Sequence, residues 1–315
     1  MKGKYLLNNL KEKDKHDGIT LICTFSRAVL VPYFFAAFRK LKLPRQPIHL
    51  IIYDNTQDEV LKKALLDQLE RLPSSFKSVR MYKSYLKGRG SIAGSGNEQF
   101  KNSKLWNIWL MWLKMKGMIH TETFFVLEDD TICPPNAFIR LMGLLHRNPR
   151  VGFATAIETG RSSMPWVPVR LGVHHVKMKG MKVLERHSLD PNTKGVVPID
   201  AAGVYCFAAR TKAYLSGFKN YDPVKLKVPF FALDNILIWN IKLNGWEILA
   251  DFSLWCSHLE VTGARIIAFS KNQAIETSDV WLPQYNNYGT NIEIKNKHHR
   301  PRKHRISKFA QTWEI

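Results

Sequence analysis

Three consecutive acids end a β-rich apolar run. In TFFVLEDDT, residues 123–131, the side chains of Glu128, Asp129 and Asp130 follow directly on FFVL. Like charges packed so closely repel and require a counter-charge. A short row of hard oxygen donors suits Mg²⁺ or Mn²⁺, ions that keep waters and also take substrate phosphates. The plainer role of the run is an exposed acidic turn leading into a helix N-terminus, where acids are also favoured. Two more carboxylates stand at comparable places. Asp54, followed by Asn55, ends the apolar run IHLIIYDN, and Asp234 opens the helical pattern LDNILIWNIKL. For both, an Asx turn or a helix cap is the alternative role. His258 ends a late apolar segment, SLWCSH, as either an ordinary structural histidine or a ligand.

The surrounding pattern provides elements that can hold these side chains. ITLICTF (Ile19–Phe25) reads as a buried strand, and SRAVLVPYFFAAFRKLKL as a helix with Ser26 as its N-cap, running to Leu43 and stopped by Pro44 and Pro47. A second strand over 48–55, an amphipathic helix in TQDEVLKKALLDQLERL and a third strand in VRMYKS complete a β-α-β-α-β order. Such alternation predicts a mainly parallel sheet with helices on its faces. Ligands of such sheets bind outside the carboxyl ends of the strands, where Asp54 and the acidic run fall. Residues 87–97, KGRGSIAGSGN, read as a loop, either a mobile one near a binding site or a plain linker, and lack the GK[ST] ending of a P-loop. The helix that follows carries Trp106, Trp109 and Trp112 at three-residue spacing, which points to core rather than to base stacking. Residues 159–189, which include Trp166, read as irregular. A strand and short helix follow in VVPIDAAGVYCFAARTKAYL, then a helix that Gly245 ends, then a strand or strand pair in EILADFSLWCSHLE.

Composition narrows the class further. The 315 residues carry 47 Lys and Arg against 26 Asp and Glu, a net charge of +21. Such an excess suggests an anionic partner and says nothing about fold. The four cysteines, Cys23, Cys133, Cys206 and Cys256, form no CxxC pair and read as reduced core thiols rather than as a zinc site. No apolar run approaches the roughly 20 residues of a spanning helix. The N-terminus lacks the apolar stretch of a secretory signal, so a soluble, cytoplasmic protein is expected.

Taken in order, these segments resemble the GT-A fold of nucleotide-sugar glycosyltransferases, most of all the inverting family-2 group, over about residues 19–260. LICTFSR resembles the family's opening strand and turn, IIYDN its second strand, VLEDDT its acidic DxD element, and DAAGVYCFAARTKAYLSGF its acceptor segment. LDNILIWNIKLNGWEI resembles its ED helix, and CSH its late histidine. Two departures stand out: Glu128 makes the acidic element ExD, and Leu233 precedes Asp234 where the family has an acid. The resemblance implies an α/β GT-A architecture, with a mixed, mainly parallel central sheet flanked by helices. It divides the chain into a basic leader (1–18), a domain over 19–284 and a basic tail (285–315). Within the domain, 19–131 is the nucleotide-sugar half and 132–284 the acceptor half. It implies a UDP-sugar donor contacted by Thr24, Arg27, Asp54, Asn55 and Asp129. Mn²⁺ or Mg²⁺ would be held by Asp130, with Glu128 and His258 assisting. Asp234 would be the general base of an inverting transfer, and Trp166, Gly203 and Asn235 would line the acceptor side.

The acceptor is where the charge bears. Basic tracts over 77–89, 101–116 and 161–182, and seven Lys or Arg with three His over 295–308, match the electrostatic footprint of a phosphate backbone. The favoured expectation is therefore a phage-type DNA-modifying enzyme, which would glycosylate a hydroxymethylated pyrimidine after extruding the base. The alternatives are an envelope polysaccharide or lipid-linked saccharide acceptor, and a non-catalytic nucleic-acid-binding protein.

Overall fold

The computed structural model describes residues 3–54, 58–72, 75–84, 104–158, 172–179, 182–222, 233–262, 265–270 and 273–276. The strands are β1 (Gly3–Asn8), β2 (Ile19–Phe25), β3 (Ile48–Asp54), β4 (Phe76–Ser84), β5 (Thr123–Glu128), β6 (Thr131–Ile132), β7 (Val151–Glu158), β8 (Val173–Lys179), β9 (Lys182–Ser188), β10 (Val196–Pro198), β11 (Ala201–Ala202), β12 (Cys206–Arg210), β13 (Glu247–Thr262), β14 (Arg265–Ser270) and β15 (Gln273–Glu276). The helices are α1 (Val31–Phe38), α2 (Glu59–Leu69), α3 (Lys104–Lys116), α4 (Ala137–Arg147), α5 (Thr211–Gly217) and α6 (Leu233–Leu243).

Among the described residues, twelve strands form one mixed sheet with the path β1-β4-β3-β2-β5-β12-β7-β13-β14-β15, and β6 and β10 pair with β13. Strands β4, β3, β2 and β5 run parallel, as do β7 and β13, while β12 lies antiparallel between β5 and β7. From β2 the chain builds outwards through β3 and β4, then returns to place β5 on the other side of β2. The β2–β5 seam is thus a switch point, where the carboxyl ends of two parallel strands diverge and leave a crevice. Its register sets Thr24 beside Glu128, and the neighbouring ladders set Phe25 beside Asp54 and Asp54 beside Lys83.

These strands read as near-continuous apolar runs because both faces of the sheet are covered. One face, with Leu21, Cys23, Phe25, Phe125 and Leu127, packs on Phe34, Phe35 and Phe38 of α1, Leu61 and Leu65 of α2, and Phe138, Leu141 and Leu145 of α4. The other, with Ile22, Phe124, Val126 and Phe207, packs on Trp109 and Trp112 of α3, Tyr214 of α5, and Leu237 and Ile241 of α6. Trp109 and Trp112 are therefore core, with the Trp109 ring 5.0 Å from that of Tyr221. All four cysteines are buried free thiols.

Three segments differ from the sequence expectation. The stretch read as a basic leader supplies β1, an edge strand antiparallel to β4. Within the stretch read as irregular, β8 and β9 pair antiparallel and β11 pairs with β8. The first helix runs only from Val31 to Phe38, after a 3₁₀ turn (Ala28–Leu30) whose N-cap position is Arg27, so Ser26 sits one residue too early to cap it and its hydroxyl lies on Asp129. Gly18, at φ +76°, enters β2 so close to Pro47 that a Cβ would sit 2.1 Å from the Pro47 carbonyl oxygen. Among the described residues, no helix is long and apolar enough to cross a membrane.

Candidate active site

The acidic run divides at the end of β5. Glu128 ends the strand, and its N–H donates to the Tyr205 carbonyl at 3.0 Å. With Thr24 and Val126 it lines a small cavity of about 10 Å³ against Met111, Trp112 and Met115. Asp129 turns to the loop after β2. Its Oδ2 accepts from the backbone N–H groups of Ser26 (2.7 Å) and Arg27 (3.0 Å) and from the Ser26 hydroxyl (3.2 Å), while its own N–H donates to the Thr24 carbonyl. The carboxylate so staples the two halves of the switch-point crevice together.

Asp130 meets a second ladder, which delivers His258. Strand β13 runs past β7 and pairs with β6, setting His258 opposite Thr131. The Leu259 N–H donates to the Asp130 carbonyl at 2.6 Å, and His258 Nε2 lies 3.3 Å from Asp130 Oδ2. The Arg27 guanidinium bridges the two aspartates, at 3.5 Å from Asp129 Oδ1 and in direct contact with Asp130 Oδ2. Burial opposes the charge on Arg27, but Asp130 and Asp129 outweigh it and hold its pKa above the ordinary value. Burial, then Asp130, push the Asp129 carboxyl up, while Arg27 and the two backbone N–H groups pull it down; the net direction is upwards.

A divalent ion and an anion fit this arrangement. Asp130 and His258 offer an oxygen and a nitrogen donor at the spacing of neighbouring vertices of one coordination sphere. Among the described residues, no group of three or more His, Cys, Asp or Glu side chains is placed to hold a metal ion, so protein atoms alone do not complete a coordination shell here. An open site is what Mg²⁺ or Mn²⁺ uses when substrate phosphates and waters complete the shell. The buried Nε of Arg27 has no hydrogen-bond acceptor among the described residues. A phosphate oxygen beside Asp130 would supply one.

Two residues that sequence reasoning missed tie the site together. Tyr205 is 4% exposed, and its hydroxyl donates to the Ala156 carbonyl (3.0 Å) and accepts from the Glu158 N–H (3.1 Å). Burial, with Glu158 beside it, raises its pKa well above the ordinary value, so it stays a protonated donor. Glu158, 6% exposed at the end of β7, accepts from the Thr131 hydroxyl at 2.8 Å and faces His258 Nδ1 at 3.6 Å. Nothing in the local sequence of either residue signals this; their partners come from other strands.

The remaining candidates lie as follows. Gly203 packs on the Tyr205 ring, and a Cβ there would be 2.8 Å from that ring and 3.5 Å from Asp234 Oδ2. Asp234, half-buried in the first turn of α6, is so brought beside the Gly203 segment; its Oδ1 accepts from the Asn235 N–H at 2.8 Å. Asn235 is buried next to it. Asp54 is fully buried at the end of β3, with the Lys83 ammonium 2.6 Å from its Oδ2. Asn55 and Trp166 lie outside the described residues, as do the glycine-rich loop over 87–97 and the basic tail.

No protein-family model and no curated protein matches the sequence. Solved structures do match. GalNAc-T7 with UDP, GalNAc and Mn²⁺ is aligned over 78% of this chain and 44% of its own, with a TM-score of 0.51 at 11% identity. A mannosyltransferase from Pyrobaculum calidifontis, PcManGT, in complex with GDP-Man and Mn²⁺, covers 75% and 57%, with a TM-score of 0.44 at 11% identity. TarS of S. aureus in complex with UDP covers 74% and 57%, with a TM-score of 0.42 at 12% identity. The chain thus spans about half the length of the structures it matches. At 11% identity, the likeness to GalNAc-T7 is one of fold, and the fold is GT-A.

Proposed function

We propose that this GT-A chain is a metal-dependent glycosyltransferase that moves a sugar from a nucleoside diphosphate sugar, UDP in the favoured reading, to an acceptor hydroxyl with inversion. The observation that carries the proposal is the open Asp130–His258 donor pair at the switch point, with the Arg27 guanidinium against it. Asp130 and His258 would hold Mn²⁺ or Mg²⁺, which when bound neutralises charge on the leaving diphosphate. Arg27 shares that task through its partnerless Nε. In the transfer, the acceptor oxygen attacks the anomeric carbon as the bond to the diphosphate oxygen breaks. Asp234 Oδ2, beside the Gly203 segment, takes the hydroxyl proton. The net charge of +21 favours DNA carrying a hydroxymethylated pyrimidine as acceptor, since a phosphate backbone matches a broadly cationic surface.

Calorimetric titration of UDP with and without Mn²⁺ tests the donor site. Binding should require the ion and weaken at least about tenfold in Asp130→Asn, a loss typical of metal-site damage. Asp234→Asn should keep UDP binding and lose about 10²–10⁴-fold in transfer, the usual contribution of a positioned base. Full transfer by Asp234→Asn would overturn the base assignment. DNA affinity that does not fall as salt rises would overturn the acceptor reading.

A further inference from the structure

We infer that Glu158 is a positioning residue that fixes the tautomer and orientation of His258, so that Nε2 faces the cation site. This rests on the reading of Asp130 and His258 as metal ligands. A histidine binds a metal through one ring nitrogen only when that nitrogen carries a lone pair. The proton must then sit on the other nitrogen, and an acceptor must hold it there. His258 presents Nε2 to Asp130 at 3.3 Å and Nδ1 to Glu158 Oε2 at 3.6 Å, with the ring 6% exposed between the two carboxylates. Water therefore has little access to take over the acceptor role.

The rest of Glu158 is anchored. Its Oε1 accepts from Thr131, and its backbone N–H is held by the buried Tyr205 hydroxyl. Thr131 is also the residue that β6 pairs opposite His258, so one short ladder fixes both ring and acceptor. The 3.6 Å separation exceeds hydrogen-bond length, as many site contacts do before a ligand draws them together. With a cation on the Nε2 side, where Asp130 would otherwise accept from the ring, a carboxylate at Oε2 holds the one remaining ring proton on Nδ1. An amide in its place can present N–H to Nδ1, favouring the opposite tautomer and putting a proton where the cation would bind.

The test is a double-mutant cycle on Mn²⁺ affinity in the presence of UDP, read by the electron spin resonance of free Mn²⁺ for wild type, Glu158→Gln, His258→Ala and the double variant. Glu158→Gln should weaken Mn²⁺ binding about 10–100-fold, the usual loss for an outer-sphere partner. In the His258→Ala background the same change should have almost no effect, because Glu158 acts through the ring. With UDP and diamagnetic Mg²⁺ bound, the ¹⁵N shifts of the His258 ring should report Nδ1–H in wild type and lose that signature in Glu158→Gln, a change that packing damage alone does not produce. Equal losses in both backgrounds, or an unchanged tautomer, would overturn the inference. Wild type that binds no Mn²⁺ would overturn the metal reading beneath it.

Discussion

Replacing Lys83 with methionine isolates what the buried pair beside the crevice contributes. The β3–β4 register sets Lys83 next to Asp54, with Nζ 2.6 Å from Oδ2 and side-chain exposures of 2% and 0%. Methionine keeps most of the apolar stem, so the packing loss should stay under about 1.5 kcal/mol. The larger effect is electrostatic: Asp54 loses its counter-charge where solvent cannot reach it. Breaking such a pair from one side costs about 3–5 kcal/mol, a large part of the ~5–15 kcal/mol that holds a domain folded. In Asp54→Asn with Lys83→Met no charge is stranded, and the penalty should shrink to that of a buried amide, about 1–3 kcal/mol. The double variant should thus be more stable than the Lys83→Met single. Urea unfolding followed by tryptophan fluorescence, with equal m values across the set, measures the differences. A Lys83→Met loss below about 1 kcal/mol, or a double variant no better than the single, would refute the argument that Lys83 serves to neutralise Asp54.

Two more outcomes follow from the same geometry. Gly203→Ala drives a Cβ to 2.8 Å from a Tyr205 ring that is tethered at its carbonyl and its hydroxyl and cannot yield, so a loss of about 1–3 kcal/mol is expected in urea unfolding, and none would show that the segment shifts freely. Burial lowers the pKa of His49, whose Nδ1 accepts from Ser78 and whose Nε2 donates to the Asp17 carbonyl. The unfolded chain then binds the proton more readily, so this contribution is complete above the unfolded value near 6.5 and is lost as pH falls through the lower folded value. Unfolding measured across that window should show His49→Gln less pH-dependent than wild type; equal slopes would contradict the assignment.

Much of this site was legible because its parts lie where one segment meets its own ending. The acidic run stands out since FFVL stops abruptly at three charges, and β2, β3 and β5 announce themselves as apolar runs buried on both faces. Asp234 shows as the acid that opens a helical pattern. What the chain does not announce is pairing across distance. Glu158 meets Thr131 and His258 only because β7, β6 and β13 are neighbours, and Tyr205 lies 47 residues from the Glu158 N–H it accepts from. Strand β1 escaped notice because it is an edge strand with five of six residues exposed, held by backbone pairing rather than by an apolar face. Strand β8 has no apolar run to mark it: Val173, His174 and Val176 are buried, while His175 and Lys177 between and beside them are exposed. Ser26 reads as a cap because the sequence cannot show that the first turn starts only at Ala28, nor that the Ser26 hydroxyl turns to Asp129, 103 residues later.

The charge excess and the acidic site are two parts of one electrostatic arrangement. Glu128, Asp129, Asp130, Glu158, Asp54 and Asp234 gather at one edge of the sheet, answered locally by Arg27 and Lys83. With six of the 26 acids concentrated there, the rest of the chain is more cationic than its average. At the opposite edge, Arg150, Lys212 and Lys219 line an open groove of about 560 Å³ with Trp246. Strand β7 runs from that edge to Glu158, so the two ends stand about 23 Å apart at 3.3 Å per residue. That is more than two Debye lengths at physiological salt. The groove therefore adds little to the potential that a diphosphate would feel at Asp130 under the proposed function, which would depend on Arg27 and on a bound cation. It does add to the long-range field that would draw a polyanionic acceptor of the kind proposed. Under the proposed function, donor recognition and attraction of a polyanionic acceptor would thus respond differently to salt: the buried pairs at the site are screened little, and the exposed lysines strongly.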